Sequence, residues 1–401
     1  MNSRLMAAAL CFAVVFASPT AYAQEPTTEL KVDAAQEPGG NPDGGFVGKL
    51  KDFADDIKIV ERLNGDIDGW YPRLGGMTTG SGFALGPGYR THAGPVFIDV
   101  SAAVTKKGYK AVDLKAEWLQ SRYDRVELWT NFRYQDFPQE DFFGLGGASA
   151  LANRTNFALE STDITALGIF HLRPWMRVGA EFGYLKPTIG SGTDRAFPST
   201  ELRFADSEAP GLAAQPDFLH TTVFTEIDSR DERGNPRSGA YYRAAFGIWD
   251  DQGLEQFDFR RFDGEAAHFV PLGTKTHVLA SRLGVAVVNN SPGERVPFYF
   301  YPYVGGSHTL RNVKEFRFQD ENALWLNTEY RWAAFKYVGL ALFFDVGEVE
   351  RGWDEMFNGD IKTAYGVGFR VNTRKRVFAR LDIGAGGNEG RQIFFKLGPS
   401  F

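Results

Sequence analysis

Residues 323–332 read Ala-Leu-Trp-Leu-Asn-Thr-Glu-Tyr-Arg-Trp, and their polarity repeats every second residue. Leu324, Leu326, Thr328, Tyr330 and Trp332 share one face of an extended chain, while Asn327, Glu329 and Arg331 share the other. That period belongs to a β-strand with one apolar and one wet side. It recurs in 125–135, where Val126, Leu128, Thr130, Phe132 and Tyr134 oppose Arg125, Glu127, Asn131, Arg133 and Gln135. It recurs again in 361–372, where Ile361, Thr363, Tyr365, Val367, Phe369 and Val371 oppose Lys362, Arg370 and Asn372. A soluble sandwich with its apolar faces inside has the same period, so alternation alone does not separate it from a membrane barrel.

Connection lengths separate them. Read backwards from the C-terminus, 372–375 is short, 347–360 longer, 333–337 short and 289–321 long. Upstream, 270–275 is short, 249–256 moderate, 229–238 a polar turn, 186–217 long and 171–174 very short. Tight turns at one rim and long loops at the other characterise a transmembrane antiparallel β-barrel of the bacterial outer membrane, whose short turns face the periplasm. About sixteen strands fit between Asp66 and Phe401, an even number that brings both chain ends to one side. The expected first strand, 70–77, is the least regular, because Pro72 and two glycines interrupt it.

Composition agrees with an all-β barrel. Aromatic residues make up 14% of the chain, with 35 Phe beside 45 Gly, as aromatic girdles and many turns require. Past residue 24 nothing approaches the ~18 consecutive apolar residues of a membrane helix, and the mean hydropathy is slightly negative. Acidic and basic residues are intermixed with a net charge of −6, so nothing points to nucleic acid as a partner. Residues 1–23 carry Arg4, an apolar run and the small-residue site Ala21-Tyr22-Ala23, the pattern of a cleaved secretory signal peptide. The single cysteine, Cys11, lies in that run behind Leu10, where a lipoprotein cleavage site wants a small residue. The mature chain therefore has no disulfide, thiolate metal site or cysteine nucleophile. Residues 24–64 read as a flexible linker followed by one short periplasmic amphipathic helix, with Leu50, Phe53, Ile57 and Val60 on one face. The barrel then occupies 65–401.

The last segment alternates Ile393, Phe395, Leu397 and Phe401 against Gln392, Lys396 and Ser400. A terminal aromatic on the lipid face resembles the signal that the outer-membrane assembly machinery reads, so that machinery is an expected partner during biogenesis. Other motifs dissolve on inspection. Residues 64–69, Asn-Gly-Asp-Ile-Asp-Gly, begin like a calcium loop, but Gly75 stands where its bidentate glutamate belongs. Gly384-Ala385-Gly386-Gly387 reads as a hairpin, since no helix pattern follows it. His92, His171, His220, His268, His277 and His308 show no metal-ligand spacing. Nor does any Ser/His/Asp spacing indicate an enzyme, and no cofactor or metal is expected.

Three segments together resemble the bacterial surface antigen superfamily, which holds the BamA and TamA assembly barrels and the two-partner secretion transporters. Residues 305–311, Gly-Gly-Ser-His-Thr-Leu-Arg, look like the tip of the family's sixth outer loop; Leu310 and Arg311 fit its pattern, while Asn312 and Val313 replace a glycine and an aromatic. Phe343, Asp345 and Gly347 match a thirteenth-strand motif, and Glu329 corresponds to a twelfth-strand acid. Asp228-Ser229-Arg230-Asp231 with Pro236-Arg237-Ser238-Gly239 resembles the periplasmic turn before the ninth strand, and residues 142–146, Phe-Phe-Gly-Leu-Gly, resemble a loop of many members.

The resemblance implies a sixth loop folded back into the lumen, with Arg311 bound to Glu329 and Asp345, whose alternation points both carboxylates inward. Without it, Arg311 would be an exposed cation. Protein-handling members usually carry POTRA domains, for which the forty residues ahead of this barrel are too few, so the sequence looks like a short member lacking them. The implied function is insertion or translocation of a polypeptide or lipid client in contact with outer-membrane lipid, with a periplasmic partner supplying the missing receptor. The alternatives are a passive pore or structural barrel, and a barrel enzyme.

Overall fold

The structure, a computed structural model, describes residues 68–401 apart from 79, 119–124, 336, 359–360, 373–375 and 388. The expected leader, linker and amphipathic helix lie outside these residues.

Among the described residues sixteen strands form one antiparallel sheet. The first seven are β1 (Gly69–Gly75), β2 (Ala84–Ala93), β3 (Val96–Thr105), β4 (Lys110–Trp118), β5 (Val126–Phe142), β6 (Thr155–Arg173) and β7 (Met176–Ser191). There follow β8 (Phe218–Asp228), β9 (Gly239–Asp251), β10 (Phe259–Leu272) and β11 (Thr274–Asn290). Two short strands, β12 (Tyr303–Val304) and β13 (Phe318–Gln319), pair only with each other inside the next connection. The sheet resumes with β14 (Asn322–Trp332), β15 (Val338–Glu350), β16 (Lys362–Asn372), β17 (Val377–Ala385) and β18 (Arg391–Leu397).

The alternation resolves into inside and outside. On β14, Asn327 and Glu329 are buried while Leu326, Tyr330 and Trp332 are exposed; on β15, Phe343 and Asp345 are buried while Leu340, Leu342 and Phe344 are exposed. Burying carboxylates while exposing large apolar side chains is stable only if the outer face meets hydrocarbon and the inner face pairs its charges. The barrel, not the sandwich, satisfies both.

The short connections gather at one rim, down to the single Gly273 between β10 and β11, and the long ones at the other. Strands overrun the sequence bounds at the long-loop rim: β7 continues through Pro187 to Ser191, and β15 to Glu350. Past Leu185, β7 pairs with β6 alone, and a proline is tolerated there because one side of the strand has no ladder. The first strand ends at Gly75, short of Met77, and its Pro72 faces Pro87 on an edge, where a missing N–H costs little.

At the long-loop rim the aromatic side chains of three loops form a cap. Phe298 packs on Phe142 of β5 and Phe157 of β6 at 4.9 and 4.8 Å, and Phe300 meets Phe218 of β8 and Phe259 of β10 at 5.5 and 5.1 Å. Phe257 and Ala209 join the same buried cluster.

The sheet order runs from β1 to β18 with no ladder between these two ends among the described residues. The edge strands approach where Leu397 Cδ1 lies 4.0 Å from the place a Cβ on Gly75 would take.

Candidate functional site

The 291–321 connection folds into the barrel because the wall of β11 and β14–β17 is built low there. Gly284, Ala286, Ala323, Ala364, Gly366 and Gly384 face inward; a Cβ on Gly384 would lie 1.8 Å from the carbonyl oxygen of Arg311. Onto this bed the loop lays Val304, Leu310, Val313 and Phe318, fully buried against Trp325 and Val349. Each such side chain contributes about 1.5–3 kcal/mol on burial. The loop tip is cinched by Thr309, whose hydroxyl accepts from the Gly305 N–H and donates to the Gly305 carbonyl, both at 2.7 Å.

That placement delivers Arg311 to two buried carboxylates. Its Nε and Nη2 donate to the two oxygens of Asp345 at 2.8 and 2.7 Å, its backbone N–H donates to Asp345 at 3.2 Å, and Nη1 donates to Glu329. The guanidinium carbon sits over the Phe343 ring, 3.7 Å from its centre. Burial opposes its charge, but Glu329 and Asp345 outweigh burial and raise its pKa. Asn327 ties the lock together, donating to the Thr309 carbonyl at 2.7 Å and to Asp345 at 2.9 Å. The strand motif now has a physical reading: Phe343 stacks on Arg311, Asp345 grips it, and Gly347 leaves room for Val304, which a Cβ would meet at 3.1 Å.

The two departures from the family pattern are accommodated. Asn312 is not among the residues with positive φ, so glycine's backbone freedom is not needed, and its side chain donates to the Gly386 carbonyl at 2.6 Å. Val313 fills the apolar bed.

A wider network lay beyond the sequence reading. Glu329 also accepts from Arg331 Nε at 2.7 Å, Arg370 Nη2 at 3.2 Å and the Ser400 hydroxyl at 2.9 Å. Asp382 receives Arg370 at 2.6 Å and Arg380 at 3.0 Å, and Arg380 reaches back to the Ser307 carbonyl. Period two placed Arg370 on the inner face, but only strand register brings these groups together. Arg317 anchors the far side of the loop through a fork of 2.8 Å bonds to Glu389 and a bond to Ser149. The 142–146 loop supports the same segment, with the Gly146 N–H donating to the Gln319 carbonyl at 2.7 Å.

One expectation is corrected. Phe401 does not continue the lipid face of β18. The strand stops at Leu397, the chain turns at Gly398, whose φ of 90° suits glycine, and Phe401 lies inside against Phe269 with ring centres 6.1 Å apart. The alternation fails because Gly398 and Pro399 break the extended backbone, and because the π face gains from the Arg331 guanidinium 4.7 Å away.

At the short-turn rim, Asp231 Oδ1 accepts the N–H groups of Arg237 and Ser238 at 2.9 and 3.1 Å and Oδ2 pairs with Lys275 at 2.7 Å. The turn reaches the start of β17, where the Val377 N–H donates to the Gly234 carbonyl at 2.9 Å.

Comparison with known proteins agrees with this architecture. The Omp85 superfamily domain matches residues 113–401. No curated protein matches in sequence. Solved structures with this fold include BamA from Haemophilus ducreyi lacking POTRA domains 1-3, at 14% identity and a TM-score of 0.60 over 83% of this chain and 70% of that one. They also include CdiB from Acinetobacter baumannii, at 11% identity and a TM-score of 0.51 over 82% of this chain and 58% of that one. With most of its length matched by the domain and its sixteen strands forming a lipid-faced, nearly closed barrel, the chain is a bacterial outer-membrane protein that belongs to the Omp85 superfamily.

Proposed function

We propose that this barrel inserts a polypeptide client into the outer membrane at its β1–β18 seam, without catalysing a chemical step. The observation that carries the reading is the pairing of an occupied lumen with unladdered sheet ends. The sixth loop packs inside the barrel against β11 and β14–β16, the aromatic cap covers one rim, and the Gly234–Val377 contact spans part of the other. A passive pore has no use for such a plug, whereas a strand edge offers backbone donors and acceptors to an incoming client strand. A periplasmic partner would deliver the client, and the assembly machinery would insert this barrel itself.

The test is reconstitution into liposomes, adding a urea-unfolded outer-membrane barrel as client and following its folding on unboiled gels, with efflux of a trapped dye read in parallel. Faster client folding over empty liposomes, with the dye retained, is the expected result. Dye efflux with no gain in folding would establish the passive pore instead.

A further inference from the structure

We propose that the C-terminal residues Ser400 and Phe401 form a latch that couples the seam strand β18 to the sixth-loop lock. The chain leaves β18 at Gly398 and passes into the lumen at the short-turn rim. There the Ser400 hydroxyl accepts from Arg331 Nη2 at 3.0 Å and donates to Glu329 at 2.9 Å. Glu329 is the carboxylate that also holds Arg311, so one residue receives both the loop tip and the tail. Phe401 is seated beside Phe269, Ala267, Val278 and Ala280 on β10 and β11, with Arg331 and Arg282 facing its ring at 4.7 and 6.0 Å. Opening the seam by moving β18 must pull Ser400 from Glu329 and Phe401 from its seat. Loosening the loop shifts the Glu329 carboxylate that Ser400 needs. Coupling between the two events is reciprocal. Its meaning as a gate rests on the seam function proposed above, while the coupling stands or falls by itself.

The test uses the full barrel in detergent micelles and carboxypeptidase, which removes Phe401 only from an undocked tail, with release followed by intact mass. Ser400→Ala and Phe269→Ala, both of which keep the terminal aromatic, should speed release about tenfold. The lock variants Arg311→Lys and Asp345→Asn should speed it several-fold through Glu329, while Arg295→Ala, which breaks the loop pair with Asp206, should not. Rapid release from the unaltered protein, wild-type release from the lock variants, or equal acceleration in Arg295→Ala would each overturn the latch. Should the lock variants not assemble, hydrogen exchange on Ser400→Ala decides it: the Arg311 amide must exchange faster, and unchanged exchange removes the coupling. A barrel with a coupled tail that inserts no client would refute the proposed function and leave the latch intact.

Discussion

Removing the Arg311 guanidinium should destabilise the barrel more than any surface ion pair does, and in an uneven way. Its three side-chain bonds go to groups of almost no solvent exposure. After Arg311→Ala, Glu329 still has Arg331, Arg370 and Ser400, but Asp345 keeps only the Asn327 amide and the backbone N–H of residue 311. Asp345 is therefore the stranded charge. Breaking a buried pair from one side costs about 3–5 kcal/mol, and that is the expected loss for Arg311→Ala. Asp345→Ala, which leaves Arg311 its Glu329 bond, should cost about 2–3 kcal/mol. The double variant should fall short of the sum by about 2–3 kcal/mol, while a cycle of Arg311 with Glu329 should give a smaller coupling. Denaturant unfolding in micelles, followed by tryptophan fluorescence, measures all the variants. Additivity of Arg311→Ala and Asp345→Ala within about 0.5 kcal/mol, or a larger coupling to Glu329, would refute the reasoning.

Gly384→Ala should displace the sixth loop, because its Cβ falls 1.8 Å from the Arg311 carbonyl oxygen; a loss of about 1–3 kcal/mol and raised conductance in a bilayer are expected, and wild-type values for both would contradict the docked loop. The unboiled protein should migrate apart from the boiled one on a gel, since its strands satisfy one another's backbone groups; identical mobility would count against a barrel. Asp231 supplies a pH test: burial raises its pKa, but Lys275 and the N–H groups of Arg237 and Ser238 outweigh burial and hold it below the usual carboxylate range. A depressed carboxylate stabilises the folded turn above its ordinary pKa and loses that contribution as pH falls through the lower folded value. Protease should cut the 229–238 turn faster in Asp231→Asn at neutral pH, with the difference vanishing only below about pH 4; equal cleavage at neutral pH would dismiss the role of this carboxylate.

What the sequence revealed, and what it hid, follows from the range of each interaction. Period two is local, so the inward aim of Glu329 and Asp345 and the outward aim of Leu326 and Phe344 were legible in single strands. The meeting of Arg370, Arg380 and Asp382 depends on register between β16 and β17, where Gly368 faces Asp382 and Arg370 faces Arg380. Nothing within one strand encodes that. The bed under the sixth loop was hidden for the same reason: Gly284 looks like an ordinary strand glycine and Gly384 like part of a hairpin until a ring or a carbonyl is found above them. At Phe401 a correct local rule was carried one turn too far, past a glycine with positive φ and a proline that end the alternation.

The measurement that bears most directly on the seam is client folding with that seam locked. The only native cysteine is Cys11 in the expected leader, so a pair engineered beside Gly75 on β1 and at Leu397 on β18 would be the only thiols in the mature barrel. Closing that disulfide should reduce the acceleration of client folding in liposomes to the level of empty vesicles, and reduction should restore it. Undiminished acceleration with the seam closed would contradict insertion through β1 and β18.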